Sequence, residues 1–301
     1  MDVAIMIEGQ MGLTWPRWKQ IARAVEDLGF AGLYRSDHFT NDRPPDQDSL
    51  EMWVSLTWLA SNTTRIDFGP LVTPVSFRHP AMTARMASAV DDLSGGRLVL
   101  GVGAGWQERE HHNYSFPLLK GAGRFDRFEE ALLYFEAVFQ SETPYTHAGK
   151  FYQFHDAVLL PRPSRPGGPP LLIGGNGMER TLGLVARFAR EWNGVYLSPE
   201  QFKLRSTKLD ALLAARGRQP VEVRRSLMTG LVFGKDDTQL KLKLDGDDPD
   251  KLREVGMIVG TPQQIQDQLG ALAEAGVQRV MVQWFNLDDV DGLAALAKAV
   301  L

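Results

Sequence analysis

The chain contains no cysteine, which excludes disulfides, thiolate nucleophiles, zinc ribbons and iron–sulfur clusters together. It has no strong excess of either charge. Lys and Arg number 33 against 37 Asp and Glu, a formal net charge of −4, so a broadly basic nucleic-acid-binding face is not expected. No run of about 18 apolar residues is available to span a bilayer. The first residues, Met1 to Gly9, lack a basic segment followed by an apolar one. The six histidines show no HExxH or similar ligand spacing, so no metal is expected. The expectation is a cytoplasmic protein with a small-molecule partner, and with neither nucleic acid nor membrane as partner.

What is present is a globular composition, 44% hydrophobic and 23% charged over 301 residues. A short apolar run, a turn and an amphipathic helix recur along it. The segments 3–7, 31–35, 65–71, 98–101, 171–173, 193–197, 225–233 and 279–284 read as eight strands. Helical spacing is clear in 15–28, where Trp18, Ile21, Ala22, Val25 and Leu28 share a face before a stop at Gly29. Residues 141–170 break the alternation with a hairpin pattern and a Pro-rich run, and read as an insertion. Residues 235–251 are densely charged and read as a solvated, mobile loop. Eight strand–helix units imply parallel pairing, in an open doubly wound sheet or a closed barrel. The expected fold is α/β, a single (β/α)8 TIM barrel over 1–301 with an insertion after the fourth helix.

Barrel enzymes place their chemistry on the loops that follow the strands. Those positions hold Glu8, Ser36-Asp37-His38-Phe39, Thr73-Pro74, Gly103-Ala104-Gly105-Trp106, Gly174-Gly175-Asn176-Gly177 and Trp284-Phe285-Asn286. A histidine at a strand end can hydrogen-bond a cofactor or relay a proton near neutral pH. Asp37 can equally cap a turn, with His38 as a structural donor. His111 and His112 beside Glu108 and Glu110 mimic a metal site, but adjacent side chains on a helix diverge, so an exposed loop or helix is expected there. Gly101 to Gly105 is GxGxG rather than GxGxxG and lies outside the first βαβ unit, a weak dinucleotide signal. Its physical content is close backbone approach, leaving room for a flat ring or a phosphate chain. Gly174 to Gly177 stands directly before a helix, where free N–H groups favour a phosphate; a tight turn without a ligand is the alternative.

Taken in order, Gly69 to Pro80 (GPLVTPVSFRHP), Asp92 to Arg97 (DLSGGR), Gly101 to Trp106 (GVGAGW), Arg124 to Glu130, Leu172 to Gly177 and Gly260 to Pro262 resemble the bacterial-luciferase-like superfamily of luciferase-like monooxygenases. With Ser36 to Phe39 and the Gly-Ala-Gly-Trp segment, the resemblance narrows to the F420-dependent oxidoreductase branch. It implies a homodimeric barrel with a reduced flavin or deazaflavin in its mouth. It implies a bulge with a non-prolyl cis peptide at Val72–Thr73, supporting the back of the ring. By the same resemblance His38 is the catalytic residue. Asp37, Val72, Thr73, Gly103, Gly105 and Trp106 contact the cofactor, and Gly174, Gly175, Asn176 and Gly177 hold its phosphate.

Two positions depart from the sugar-phosphate dehydrogenases of that branch. A catalytic glutamate there is Trp106 here, and a tryptophan four residues past the histidine is Asp42 here. An indole cannot transfer a proton, but it can wall a pocket and exclude water. Three activities follow as expectations. The first is hydride transfer between coenzyme F420 and an organic substrate, with Arg78, Arg109 and Arg180 as candidates for the charged tail. The second is FMN-dependent two-component monooxygenation, and the third is non-catalytic flavin binding.

Overall fold

The computed structural model describes all 301 residues. Its first strand, β1 (Asp2–Ile7), shows how side chains are sorted. Ala4 and Met6 join Tyr34, Leu71, Val99, Leu172 and Met281 in a small inner cluster, while Val3, Ile5 and Ile7 enter the larger layer beneath the helices. A parallel strand buried on both faces reads as a continuous apolar run, which is why this segment shows no polar alternation.

The strands that follow are β2 (Gly32–Arg35), β3 (Asp67–Pro70), β4 (Thr73–Pro74), β5 (Leu100–Gly103), β6 (Tyr145–Ala148), β7 (Gln153–Ala157), β8 (Leu171–Gly174), β9 (Glu191–Val195), β10 (Arg224–Phe233), β11 (Ile258–Gly260) and β12 (Arg279–Gln283). The main sheet runs β3-β2-β1-β12-β10-β9-β8-β5-β4, with β11 added beside β10. Every pairing in it is parallel. β3 pairs with β2 and β4 with β5, and a bridge between Phe68 and Leu98 joins β3 to the segment entering β5. β3 and β4 are thus two halves of one stave, and the sheet closes into the expected eight-staved barrel.

The helices are α1 (Trp15–Leu28), α2 (Met52–Asn62), α3 (Pro80–Ser94), α4 (Glu108–Asn113), α5 (Gly121–Gln140), α6 (Arg180–Phe188), α7 (Pro199–Ala214), α8 (Asp237–Leu244), α9 (Pro249–Glu254), α10 (Pro262–Glu274) and α11 (Val290–Val300). α1 carries Pro16 in its first turn, buries Trp18, Ile21, Ala22 and Val25, and ends on Gly29 at a left-handed φ of 94°. The hairpin β6–β7 follows α5 and is pinned to it. Glu130 accepts from the backbone N–H groups of Lys150, Phe151 and Tyr152, and Tyr134 stacks on Phe154.

Several expectations need correction. The fourth expected strand, 98–101, runs Leu100–Gly103, and the sixth, 193–197, runs Glu191–Val195. The charged stretch 235–251 is not a loop: it holds α8 and the start of α9, each with an aspartate, Asp236 or Asp248, capping its first turn. Its charges are the solvent faces of short helices. The non-prolyl cis peptide lies at Leu71–Val72, one bond before Val72–Thr73. Proline restricts the residue before it to extended conformations, so Thr73 already pairs with Val102 in β4 and the irregular bond falls earlier.

Two glycines let the broken stave approach β5. A Cβ on Gly103 would lie 2.7 Å from Val72 Cγ2, and one on Gly101 would strike the Pro70 carbonyl. At these two positions the close approach is between strands, while Gly105, the third glycine of the run, lines the cavity at the barrel mouth. Gly103→Val is expected to overpack this seam and lower unfolding stability by about 1–3 kcal/mol. A urea midpoint equal to that of the parent protein would contradict the assignment.

Candidate active site

The carboxyl ends of the staves surround a cavity of about 490 Å³. Leu71, Val72, Pro74, Val195 and Met228 form its apolar surface, and Glu8, Ser36, His38, Glu110 and Asn193 its polar one, with Gly105, Trp106, Gly174 and Gly175 completing it. Of the residues expected to form the site, His38, Val72, Gly105, Trp106, Gly174 and Gly175 line this cavity. Asp37, Thr73, Gly103, Asn176 and Gly177 do not.

His38 leaves β2 and meets α4. Its Nδ1 lies 2.8 Å from Glu110 Oε1, while Glu110 Oε2 accepts the Phe39 N–H at 2.9 Å. Glu110 is 1% exposed. Burial alone pushes the imidazole pKa down. The Glu110 hydrogen bond and the charges of Glu110, Glu8 and Asp37 more than offset it, and the pKa is raised. With Nδ1 committed, Nε2 is the ring nitrogen left for a ligand. The Trp106 indole, 61% exposed, packs edge-to-face on this imidazole at 5.5 Å between ring centres.

Of the exposed loop or helix expected around His111 and His112, the helix is found, as α4, but Glu110 and His111 are buried in it rather than exposed. The two diverge, as adjacent helical side chains must, and each finds a different partner. His111 Nδ1 donates to the Gln107 carbonyl at 2.6 Å, so its Nε2 accepts from the Ser76 hydroxyl at 2.7 Å.

Asp37 turns into the protein. Its Oδ2 accepts from the Thr73 hydroxyl at 2.7 Å and from Arg78 at 2.5 Å. Arg78 also reaches Glu51 at 3.1 Å. This cluster ties β2 to the bulge and to the loop before α3. The other candidate cations are engaged as well, Arg109 with Asp46 and Arg180 with Asp126. None of the three arginines is a free guanidinium at the cavity.

The glycine turn after β8 reaches Gly175 at φ 123°. The Gly175 N–H donates to the Asn193 carbonyl. The Asn176 side chain both donates to and accepts from the Val195 backbone, which fixes the turn against β9. From Asn176 to Thr181 no backbone N–H has a partner within the chain. These donors stand at the start of α6, where the helix dipole adds favourable potential for an anion.

Glu8, at the end of β1, accepts from Gln10 Nε2 at 3.0 Å and from Gln283 Nε2 at 2.6 Å. Tyr196 donates to Gln283 Oε1. Burial, with the nearby Glu8 charge, pushes the Tyr196 phenol up to about 12. Position after a strand singles out Glu8 in the sequence. Glu110 carries no such local signal, because its partner is 72 residues away.

Residues 4–245 match the model of the family described as luciferase-like monooxygenase. The F420-dependent glucose-6-phosphate dehydrogenase of Kineococcus radiotolerans is 31% identical over 222 residues, covering 71% of this chain and 63% of that enzyme. The 4-hydroxyprotoasukamycin monooxygenase of Streptomyces nodosus subsp. asukaensis is 30% identical over 162 residues, covering 54% of this chain and 42% of that one. The chain thus spans between 42% and 63% of the length of these relatives. A structure of an F420-dependent secondary alcohol dehydrogenase in complex with an F420–acetone adduct superposes with a TM-score of 0.84 at 18% identity, covering 100% of both chains; this is a likeness of fold. No helix is long and apolar enough to cross a membrane. With the barrel, the broken third stave and a family match over most of its length, the chain belongs to the luciferase-like monooxygenase family.

Proposed function

We propose that the chain is an oxidoreductase that moves hydride between coenzyme F420 and an organic small molecule at the barrel mouth. The observation that carries this reading is the His38–Glu110 pair: a buried carboxylate holds an imidazole whose second nitrogen is free beside a largely apolar cavity. The residues present fit such a cofactor. Leu71 and Val72 offer a flat apolar floor, and the unpartnered amides from Asn176 to Thr181 suit a phosphate on its tail. When bound, reduced F420 supplies hydride with little oxygen chemistry.

The chain's own part is to orient and to move a proton. His38 Nε2 donates to the oxygen of a carbonyl substrate, or accepts from an alcohol in the reverse direction, while Glu110 fixes the ring and stabilises its protonated form. Trp106 shields His38 from water. Asp37 acts at one remove, holding Thr73 and the bulge rather than meeting the cofactor edge. The reading carries with it a homodimer in the cytoplasm. FMN-dependent monooxygenation is the second reading, supported by the monooxygenase relative.

Thermal melts with F420, FMN and NADPH separate them, because a ligand that binds the native state stabilises it, by about 2.7 kcal/mol at a hundred times Kd. F420 is expected to raise Tm. A rise with FMN and none with F420 reverses the order of the two readings. No rise with any of the three removes both.

A further inference from the structure

The cavity has an unusual charge inventory. No Lys or Arg lines it, but two carboxylates do, Glu8 and Glu110. The guanidiniums of Arg35 and Arg78 are spent. Arg35 is held by the Ser36 and Leu50 carbonyls and the Ser55 hydroxyl, and Arg78 by Asp37 and Glu51. Glu110 accepts one bond at each oxygen, from His38 and from the Phe39 N–H, and is buried, so its remaining lone pairs are closed to a ligand.

Glu8 differs. Each of its oxygens accepts one bond, and both donors are neutral amides. A carboxylate oxygen takes two, so lone pairs are left over. The amides are oriented from behind. The Ser36 hydroxyl donates to Gln10 Oε1 at 2.8 Å and Tyr196 to Gln283 Oε1, so both NH₂ groups must face Glu8. Asn193 adds a further acceptor: its Nδ2 is spent on Ser226 and the Met281 sulfur, leaving its carbonyl oxygen. Around the closed order, β1 and β8 are four staves apart. Glu8 therefore stands across the barrel from the glycine turn.

We infer that Glu8 is the specificity-determining acceptor of the cavity: it receives a hydroxyl of an uncharged substrate with an apolar body and turns away phosphate esters and carboxylates. An anion would be desolvated beside Glu8 with no Lys or Arg in the lining to offset the repulsion, and the one histidine there, His38, is already paired with Glu110. A hydroxyl meets a charged acceptor already aimed by two amides, and Trp106, Val195 and Met228 take the apolar remainder. The inference rests on the hydride-transfer reading only in placing the substrate at this mouth.

Three ketones of one ring size test it: cyclohexanone, 4-hydroxycyclohexanone and 4-oxocyclohexanecarboxylate, titrated by ligand-observed NMR into the full chain with and without F420. The hydroxyketone is expected to bind about tenfold or more tighter than cyclohexanone, as a bond to a charged acceptor allows, and the carboxylate weakest. Glu8→Gln is expected to erase the hydroxyl preference and to raise binding of the carboxylate, relative to cyclohexanone, about tenfold. Tyr196→Phe keeps the carboxylate and only frees Gln283; it is expected to cut the hydroxyl preference a few-fold and leave cyclohexanone unchanged. It serves if Glu8→Gln does not fold. Carboxylate binding as tight as the parent ketone, a hydroxyl preference that survives Glu8→Gln, or no binding of any probe at millimolar concentration overturns the inference. F420 fluorescence reads cofactor binding separately. Its failure would count against hydride transfer, while the probe ranking on the cofactor-free chain still decides the role of Glu8.

Discussion

His38→Ala is expected to cut turnover by about 10²–10⁴-fold, the usual worth of a positioned general acid or base. It also leaves Glu110, 1% exposed, with the Phe39 N–H as its remaining partner, so some stability is lost with the activity. Glu110→Gln separates the two effects. It keeps a hydrogen-bonding group beside the imidazole but removes the charge that offsets burial, so the His38 pKa falls. In the parent protein that pKa is raised from 6.5, and the imidazolium persists to higher pH. Carbonyl reduction is therefore expected to decline as pH rises through the raised value, and in Glu110→Gln the decline moves to lower pH. Stability follows the same sign. The contribution of the pair is complete below the unfolded histidine value and fades as pH rises through the folded one. Turnover measured against pH in both proteins checks this, and superimposable profiles would rule out His38 as the proton-carrying group.

The second large effect is structural. Arg78→Met leaves the Asp37 carboxylate, 5% exposed, with the Thr73 hydroxyl as its only side-chain partner. Removing one side of a buried ion pair costs about 3–5 kcal/mol, mostly the cost of the stranded charge. Urea unfolding should show that loss, and adding Asp37→Asn to Arg78→Met should recover much of it, since the two sites are coupled. If Arg78 served the cofactor tail instead, stability would hold and F420 affinity would fall. A midpoint unchanged by Arg78→Met would thus return this arginine to the binding machinery.

Position 106 holds no carboxylate, but a buried one stands four residues later. Glu110 reaches His38 directly, and Trp106 covers the same ring from outside. The residue types of 106–112 are compatible with a solvent-facing loop, and nothing local contradicts that. Asp37 shows the converse. Its place after β2 suggests a ligand contact, yet Arg78, 41 residues on, claims it.

Local periodicity by itself determined the eight staves, because strands buried on both faces and helices buried on one stripe leave their patterns in consecutive residues. Glycine and proline likewise marked the turns and the glycine loop before α6, since their backbone limits act within a residue or two; the break in the third stave was implied by the family resemblance and not by local chemistry. The tertiary structure alone decided the rest: which carboxylate holds His38, that the candidate cations are already paired, and that Glu8 is left with free lone pairs. Pairing of charges is settled by distance and desolvation across staves far apart in the chain, and neither quantity is written in neighbouring residues.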